Sequence, residues 1–250
     1  MPYKYINEIT SPENLQNFLE LVDLAAGSGQ DVSNVFELGR RLRDSPQMQL
    51  CVRAIQYEPS SAEMLKEKYV GPDYNLDAML KMPKGSLGWT FAKVLSTLGY
   101  DPQFYDVPPS IEEDADYISL RILKTHDIHH IITGFSLDNF GELGVISVIT
   151  AQTRFPSFLF IDLLSLFLGF FTSEKLYLEA TNAEEQRKTL KYKFDLISAG
   201  LTMGQSAKPL FPIKWEEGLE RPLDEWREEL NIHPVTDGPY SWYSHPALQL

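Results

Sequence analysis

The most constraining feature of this sequence is an almost wholly apolar run of 17 residues at positions 155–171, FPSFLFIDLLSLFLGFF. A helix that crosses a bilayer needs about 20 such residues. This run also carries Pro156 near its start and Asp162 at its middle, where a carboxylate in hydrocarbon costs about 3 kcal/mol. The run therefore predicts a helix of a folded domain. A helix that is apolar on nearly every side is buried in the core or in a dimer interface, or it lines a lipid cavity.

Helix signals recur along the chain, whereas strand signals are sparse. Ser11-Pro12 and Ser45-Pro46 each place an N-cap serine before a first-turn proline. Helical periodicity continues in three further stretches: 111–133, which ends before Gly134, then 184–200 and 222–230. No alternating run of β-branched residues is flanked by hairpin turns. The sequence thus predicts a mainly α fold, a single helical domain over residues 1–250 that contains one very apolar buried helix.

The net charge of the chain argues against some classes of binding partner. There are 35 acidic and 22 basic side chains, which gives a formal net charge of −13. A surface this negative repels phosphate backbones, which argues against a nucleic-acid partner. It also argues against electrostatic docking on anionic lipid, but not against burying an apolar face in a membrane. The acidic run at 216–229 is typical of a solvated helix face.

The cysteine content and the N-terminal segment indicate the cellular compartment in which the protein is expected. Cys51 is the only cysteine, so an intrachain disulfide and a multi-cysteine zinc site are both excluded. Its apolar neighbours predict a buried thiol in a reducing compartment. The first residues, MPYKYINEITSPENL, resemble neither a signal peptide nor a transit peptide. We therefore expect a cytoplasmic location, with peripheral membrane contact at most.

The end of the chain is rich in aromatic residues. Tyr240, Trp242 and Tyr243 follow a stretch from His233 that is rich in proline, glycine and serine. Aromatic rings are costly to leave in water, so we expect this tail to pack over the body of the protein.

Three of the five histidines fall within five residues, in the segment THDIHHIITG. His126 and His130 are four residues apart and share one face of the predicted helix, which Asp127 flanks, while His129 points aside. Two imidazoles and a carboxylate can converge on a divalent ion in this way, as on zinc-binding helices. Glu142, in the first turn of the next predicted helix, returns near the histidines and adds an oxygen ligand. The pattern predicts a metal-ligand helix-turn-helix for zinc, with magnesium, manganese or iron as alternatives.

The same residues also fit a structural interpretation, which stays open at this point. Glu142 lies three residues after Asn139, so it could simply cap its own helix. The histidines could bond to carbonyl groups in the interior, and Asp127 could pair with Lys124. Two other metal motifs are disfavoured: no histidine precedes His126, as an HD-type phosphohydrolase requires, and a zincin protease carries glutamate where Asp127 stands.

The motif His126-Asp127-x-x-His130-x11-Glu142 resembles the signature of the coenzyme Q (ubiquinone) biosynthesis protein 4 family. Supporting similarities surround it: Pro83–Gly88 (PKGSLG), Arg121 before the motif, Trp215-Glu216, and Trp226–Leu230 (WREEL). The resemblance covers residues 83–230, and residues 231–250 look like a C-terminal extension.

Membership of this family implies a mainly helical, membrane-peripheral protein that handles polyprenylated quinone precursors together with other quinone-biosynthesis proteins. It implies a divalent ion, usually described as zinc, held by His126, Asp127, His130 and Glu142. The implied activity is oxidative decarboxylation at C1 of a prenylated benzenoid ring. The alternative is a non-catalytic isoprenoid-lipid carrier or scaffold of the biosynthetic complex.

A polyprenylated substrate would give the apolar helix a role. Its isoprenoid tail is expected to meet four apolar side chains of the 155–171 run: Phe158, Leu159, Leu163 and Leu166. Its carboxylate or phosphate could meet two cations on the predicted metal helix: Arg121 and Lys124. The alternative, which the sequence favours, is that both are ordinary solvated charges. Burial of each five-carbon unit contributes about 2–3 kcal/mol, so the tail would dominate affinity. The same helix could instead pack against a second copy of the chain, as a homodimer.

Overall fold

The computed structural model describes residues 5, 10–28, 31–139, 141–173, 185 and 189–248. Over these residues the chain forms eleven α-helices and no β-strand, with two isolated β-bridges. The prediction of a mainly α fold is confirmed. In chain order the helices are α1 (Pro12–Gly27), α2 (Ser33–Leu42), α3 (Pro46–Tyr57), α4 (Pro59–Glu67), α5 (Leu76–Met79), α6 (Leu87–Leu98), α7 (Asp114–Thr133), α8 (Glu142–Thr153), α9 (Pro156–Thr172), α10 (Leu190–Ser206) and α11 (Leu223–Leu230). Three short 3₁₀ turns follow α10, at Trp215–Glu217, Trp242–Ser244 and Pro246–Leu248.

Local signals account for most helix boundaries. The Ser11 and Ser45 hydroxyls accept the backbone N–H of Asn14 and Met48, at 3.1 Å in each case, so both predicted N-caps are confirmed. Helix α7 begins three residues later than predicted and ends at Gly134, which has a φ of 84°. Residues 184 and 186–188 of the predicted 184–200 helix lie outside the described residues.

The apolar run forms α9, and only one face of it is buried. Phe158 and Leu164 on that face are nearly inaccessible, because α9 packs against α1, α2, α8 and α10. On the other face Leu163 is 60% exposed and Phe170 is 76% exposed. The expectation that the protein's own core covers every side of this helix is therefore wrong within the described residues, whereas coverage by a second copy or by lipid stays a prediction. Among those residues, none of the helices has the length and apolar character to cross a membrane.

Helices α8 and α10 pack at very short range. A Cβ atom added at Gly200 would lie 2.2 Å from the Gly144 carbonyl oxygen, and one at Gly204 would lie 2.5 Å from that of Val148. Only glycine permits this approach, in which the two backbones nearly touch. The contact fixes α8 rigidly, and α8 carries Glu142 in its first turn.

Two further sequence predictions concern the interior and the tail. Cys51 is buried, and desolvation raises the pKa of its thiol to about 12, so it is an inert core residue as predicted. The tail also packs on the body as predicted. The ring of Trp242 is nearly inaccessible, and Phe135 and Ser241 form one of the two bridges.

Candidate metal centre

Helices α7 and α8 bring three potential ligand atoms to one point. The Nε2 atoms of His126 and His130 are 3.1 Å apart. The Glu142 carboxylate lies 3.1 Å from His126 Nε2 through Oε1 and 3.3 Å from His130 Nε2 through Oε2. All three ligand atoms lie within 4.8 Å of one another. Two imidazole nitrogens and one carboxylate oxygen form the ligand set of many catalytic zinc and iron sites, in which further positions stay open for substrate.

The second ring nitrogen of His130 supports this interpretation. Its Nδ1 lies 3.2 Å from the carbonyl oxygen of Phe135. A carbonyl can only accept, so Nδ1 carries the proton and Nε2 keeps its lone pair for an ion. The turn at Gly134 and the packing of the Phe135 ring against Gly144 hold that carbonyl in place. The residues therefore fit a divalent ion.

The electrostatics of the three residues are strongly coupled. Burial alone would raise the pKa of Glu142, but the His126 and His130 imidazoles outweigh it and hold that pKa well below its usual range. Burial alone would lower the pKa of His126, but the Glu142 carboxylate outweighs it and raises that pKa. Without a metal the cluster thus favours a proton shared with an ionised glutamate. An ion would take the place of that proton.

Asp127, the fourth predicted ligand, lies outside this cluster of three. It is half-buried, and burial raises the pKa of its carboxyl group, although His126 and His130 act in the opposite direction. It is therefore near the imidazoles without joining the three converging atoms.

Arg121 and Lys124 do not face the metal cluster. The guanidinium of Arg121 is buried and makes a two-pronged ion pair with Glu216, with N–O distances of 2.6 and 3.1 Å. The Lys124 ammonium is also buried and donates to the carbonyl oxygens of Gly71 and Pro72, at 2.9 Å each. At about 100° per residue both cations point to the opposite side of α7 from the histidines. The expectation that these two side chains meet a substrate anion therefore needs correction.

The four apolar residues predicted to meet a lipid tail differ in how far they are buried in the protein. The ring of Phe158 is buried and lies 5.5 Å from the His126 ring, measured between centroids. Leu159 and Leu166 are half-buried, and Leu163 lies on the exposed face of α9. Of the four, Phe158 is the residue that contacts the cluster.

The sequence allowed a lipid cavity beside the apolar run, but it did not predict the position or the other walls of the cavity of about 670 Å³ that the structure shows. This cavity lies between α2, α7, the start of α9 and the segment 106–110, and its walls include Val35, Phe36, Leu123 and Phe155. Its α7 wall continues on the same helix face into the histidine pair, because the spacing 116, 119, 123, 126, 130 keeps one face. Leu123 is three residues from His126, about 4.5 Å along the helix axis. The spacing that places these α7 residues on one face can be read from the sequence. The opposite wall of the cavity is formed by α2, about 85 positions upstream, and local sequence patterns do not reveal that contact.

Fold and cluster together define a class: helical proteins in which a two-histidine, one-carboxylate cluster lies beside an apolar cavity. Residues 29–236 match the family model described as Coenzyme Q (ubiquinone) biosynthesis protein Coq4, and the chain belongs to this family. The match begins well before residue 83, where the recognisable motifs start. The family serves ubiquinone biosynthesis, as its description says.

Relatives and a solved structure agree with this placement. The chain is 28% identical over 218 residues to the ubiquinone biosynthesis protein coq4, mitochondrial, of Penicillium rubens, covering 86% of this chain and 68% of that protein. It is 26% identical over 229 residues to the corresponding protein of Clavispora lusitaniae, covering 89% and 67%. A crystal structure from Nostoc punctiforme PCC 73102, provisionally described as a ubiquinone biosynthesis protein, superposes with a TM-score of 0.71 at 25% identity, covering 88% of this chain and 98% of that one. Both curated relatives are named mitochondrial, and a cytoplasmic location for this chain stays a prediction.

Proposed function

We propose that this protein binds a polyprenylated aromatic acid of quinone biosynthesis at a divalent ion held by His126, His130 and Glu142, and removes its C1 carboxyl group oxidatively. The observation that carries the proposal is the convergence of the three ligand atoms within 4.8 Å. When bound, the ion supplies Lewis-acid chemistry to a substrate carboxylate. The reaction exchanges a carboxyl group for a hydroxyl group and needs an oxidant such as dioxygen as co-substrate.

The surroundings of the cluster support a head group that enters from one side. The His130 side chain is only 2% exposed, whereas the Glu142 side chain is 39% exposed. Solvent thus reaches the carboxylate and not the imidazole behind it. Phe158 covers His126 and excludes water on that side. In this arrangement the chain binds and orients an aromatic acid, and the Phe135 carbonyl keeps the His130 proton on Nδ1.

The 670 Å³ cavity supports a long apolar tail. Its walls are mostly apolar, and the helix face that lines it leads to His126. Each isoprene unit buried there would contribute about 2–3 kcal/mol. Leu159, Leu163 and Leu166 were expected to meet the isoprenoid tail. If the tail occupies the cavity instead, the exposed face of α9 would contact the membrane from which the substrate comes. A non-catalytic lipid carrier would use the same cavity, and this is the alternative function.

Metal analysis tests the proposal directly. The purified protein is expected to contain about one divalent ion per chain, and His130→Ala and Glu142→Ala are expected to lose it, since each removes a converging ligand. Asp127→Asn should lose less, because Asp127 lies outside the three atoms. The matched control is His233→Ala, which removes an exposed histidine far along the chain. Full metal occupancy in both ligand variants would contradict the proposal.

Turnover separates the enzyme from the carrier. With a prenylated hydroxybenzoate under oxygen, the enzyme yields a decarboxylated, hydroxylated product, and His130→Ala does not. A carrier instead co-purifies with a stoichiometric prenyl lipid, visible by native mass spectrometry, and yields no product.

If the exposed face of α9 contacts a membrane, a further result is expected. With a net charge of −13, docking must rely on apolar surface, so binding to neutral phosphatidylcholine vesicles should depend little on salt. Phe170→Glu is expected to weaken this binding roughly tenfold or more, because one buried phenylalanine contributes about 2–3 kcal/mol. Tyr57→Glu, at another exposed aromatic residue, serves as the control in a vesicle sedimentation assay. If Phe170→Glu converts a dimer to a monomer without affecting vesicle binding, the exposed face is a homodimer interface instead.

A further inference from the structure

The last turn of α7, which carries His130, is held by Arg227 of α11 and by residues near the end of the chain. A helix leaves its final carbonyl groups without partners inside the helix. Here the carbonyl of His130 accepts the indole N–H of Trp242 at 3.1 Å, besides the N–H of Gly134. Those of Ile131 and Ile132 accept from the Arg227 guanidinium, at 2.9 and 3.0 Å.

The turn that follows α7 is held by the same segment. The Thr133 carbonyl accepts the N–H of Val235 at 2.9 Å, and that of Gly134 accepts the N–H of Trp242 at 3.1 Å. The N–H of Ser136 donates to the Tyr240 carbonyl at 2.8 Å. We call residues 235–248 the C-terminal strap. The strap therefore fixes the backbone on both sides of Phe135, whose carbonyl orients the His130 ring.

Packing makes these contacts rigid. The Trp242 ring is 2% exposed and is stacked on Tyr243, with 3.7 Å between centroids. The Tyr243 hydroxyl accepts from Arg227 at 2.6 Å, which couples the strap to the other group that holds this turn. Gly134 admits no side chain, since an added Cβ would lie 2.2 Å from the Val235 carbonyl oxygen. The turn cannot shift without moving the strap.

We propose that the C-terminal strap positions the metal cluster, and that Trp242 is a positioning residue that acts through His130. Nearly all of the strap lies beyond residue 236, where the family match ends. Groups that orient a ligating histidine typically change metal affinity 10- to 100-fold when they are removed. The proposal rests on the metal site of the proposed function and assigns a role to residues outside the ligand motif.

The test is cobalt binding by the full chain, followed through the visible spectrum of bound Co²⁺ and by competition with a chelator. Trp242→Phe keeps an aromatic ring, although a smaller one, and removes the N–H donated to His130. It is expected to weaken Co²⁺ binding about tenfold and to shift the visible bands, because His130 is less well oriented. Trp226→Phe is the matched control, since the Trp226 indole is also buried and donates to a carbonyl, that of Gly218 at 3.1 Å, away from the cluster. Thermal unfolding of both variants measures how far each change merely destabilises the fold.

The proposal would be overturned if the Co²⁺ affinity and the visible bands are unchanged in Trp242→Phe. It would also be overturned if they change equally in Trp242→Phe and Trp226→Phe. If Trp242→Phe does not fold, Tyr243→Phe replaces it: it removes only the hydroxyl that meets Arg227, and a loss of about threefold is expected. An unchanged affinity in that variant would also overturn the proposal. Failure of the wild-type chain to bind cobalt is a different result, which refutes the metal site itself.

Discussion

Glu216→Ala is expected to lower the free energy of unfolding by about 3–5 kcal/mol, the typical cost of breaking one half of a buried ion pair. The Glu216 carboxylate and the Arg121 guanidinium are 1% and 2% exposed, so removal of the acid leaves a cation with almost no access to water. The hydroxyl of Tyr74, which donates to Glu216 at 3.0 Å, loses its acceptor as well. Urea unfolding measured at neutral pH, with metal removed from both proteins, checks the magnitude.

Glu217→Ala provides the matched control, since it removes the same charge from the next residue, which is exposed. A change within about 0.5 kcal/mol is expected there. The double variant Arg121→Met with Glu216→Leu should be more stable than Glu216→Ala, because it leaves no charge unpaired. Equal losses in Glu216→Ala and Glu217→Ala would show that the ion pair contributes nothing specific.

This ion pair also bears on the metal site. Arg121 lies five residues before His126 on α7 and also donates to the Ile213 carbonyl at 2.6 Å. The segment around Glu216 thus anchors the first half of α7, and the C-terminal strap anchors its last turn. The middle and the last turn of the ligand helix are therefore tied to the last 40 residues of the chain.

The ligand cluster was predictable because its geometry is local. His126 and His130 share a helix face through the 3.6-residue period, and Gly134 stops the helix so that Glu142 returns within a few residues. Each step depends on residues close in sequence. The structure brings together His126, His130 and Glu142, three of the four predicted ligands, and leaves Asp127 outside the cluster.

The anchors of α7 were not predictable in the same way. Arg121 and Glu216 are 95 positions apart, and neither residue type is ordinarily buried without its partner. The acidic run at 216–229 therefore appeared fully solvated, which is wrong for Glu216. The exposed side of α9 could not be predicted either. A run in which nearly every residue is apolar has no hydrophobic periodicity from which its solvent-facing side can be identified.

Asp162 is the one carboxylate within the apolar run, and the structure buries it between α9 and α8. It is 5% exposed, its Oδ2 accepts from the Ser147 hydroxyl at 3.0 Å, and its Oδ1 has no hydrogen-bond partner among the described residues. Burial raises the pKa of this carboxyl group to about 7, with Ser147 acting against the rise and the Glu142 charge adding to it. In the unfolded chain the same group loses its proton near pH 4.

Asp162 should therefore make the protein less stable as the pH rises from about 4 to about 7, because over that range the unfolded chain has released a proton that the folded chain still holds. Asp162→Asn removes this dependence. Between pH 5 and pH 8 the wild-type protein is expected to lose about 2–3 kcal/mol of unfolding free energy relative to the variant.

Urea unfolding of metal-free protein at the two pH values measures the difference, with Asp77→Asn, at an exposed aspartate, as the control. Any constant cost of burying the new amide cancels, because only the change between the two pH values is compared. If Asp162→Asn and Asp77→Asn respond to pH alike, Asp162 is ionised in the folded protein at pH 5. The apolar helix would then hold a charge, and the core around Ser147 would have to be far more polar than its packing implies.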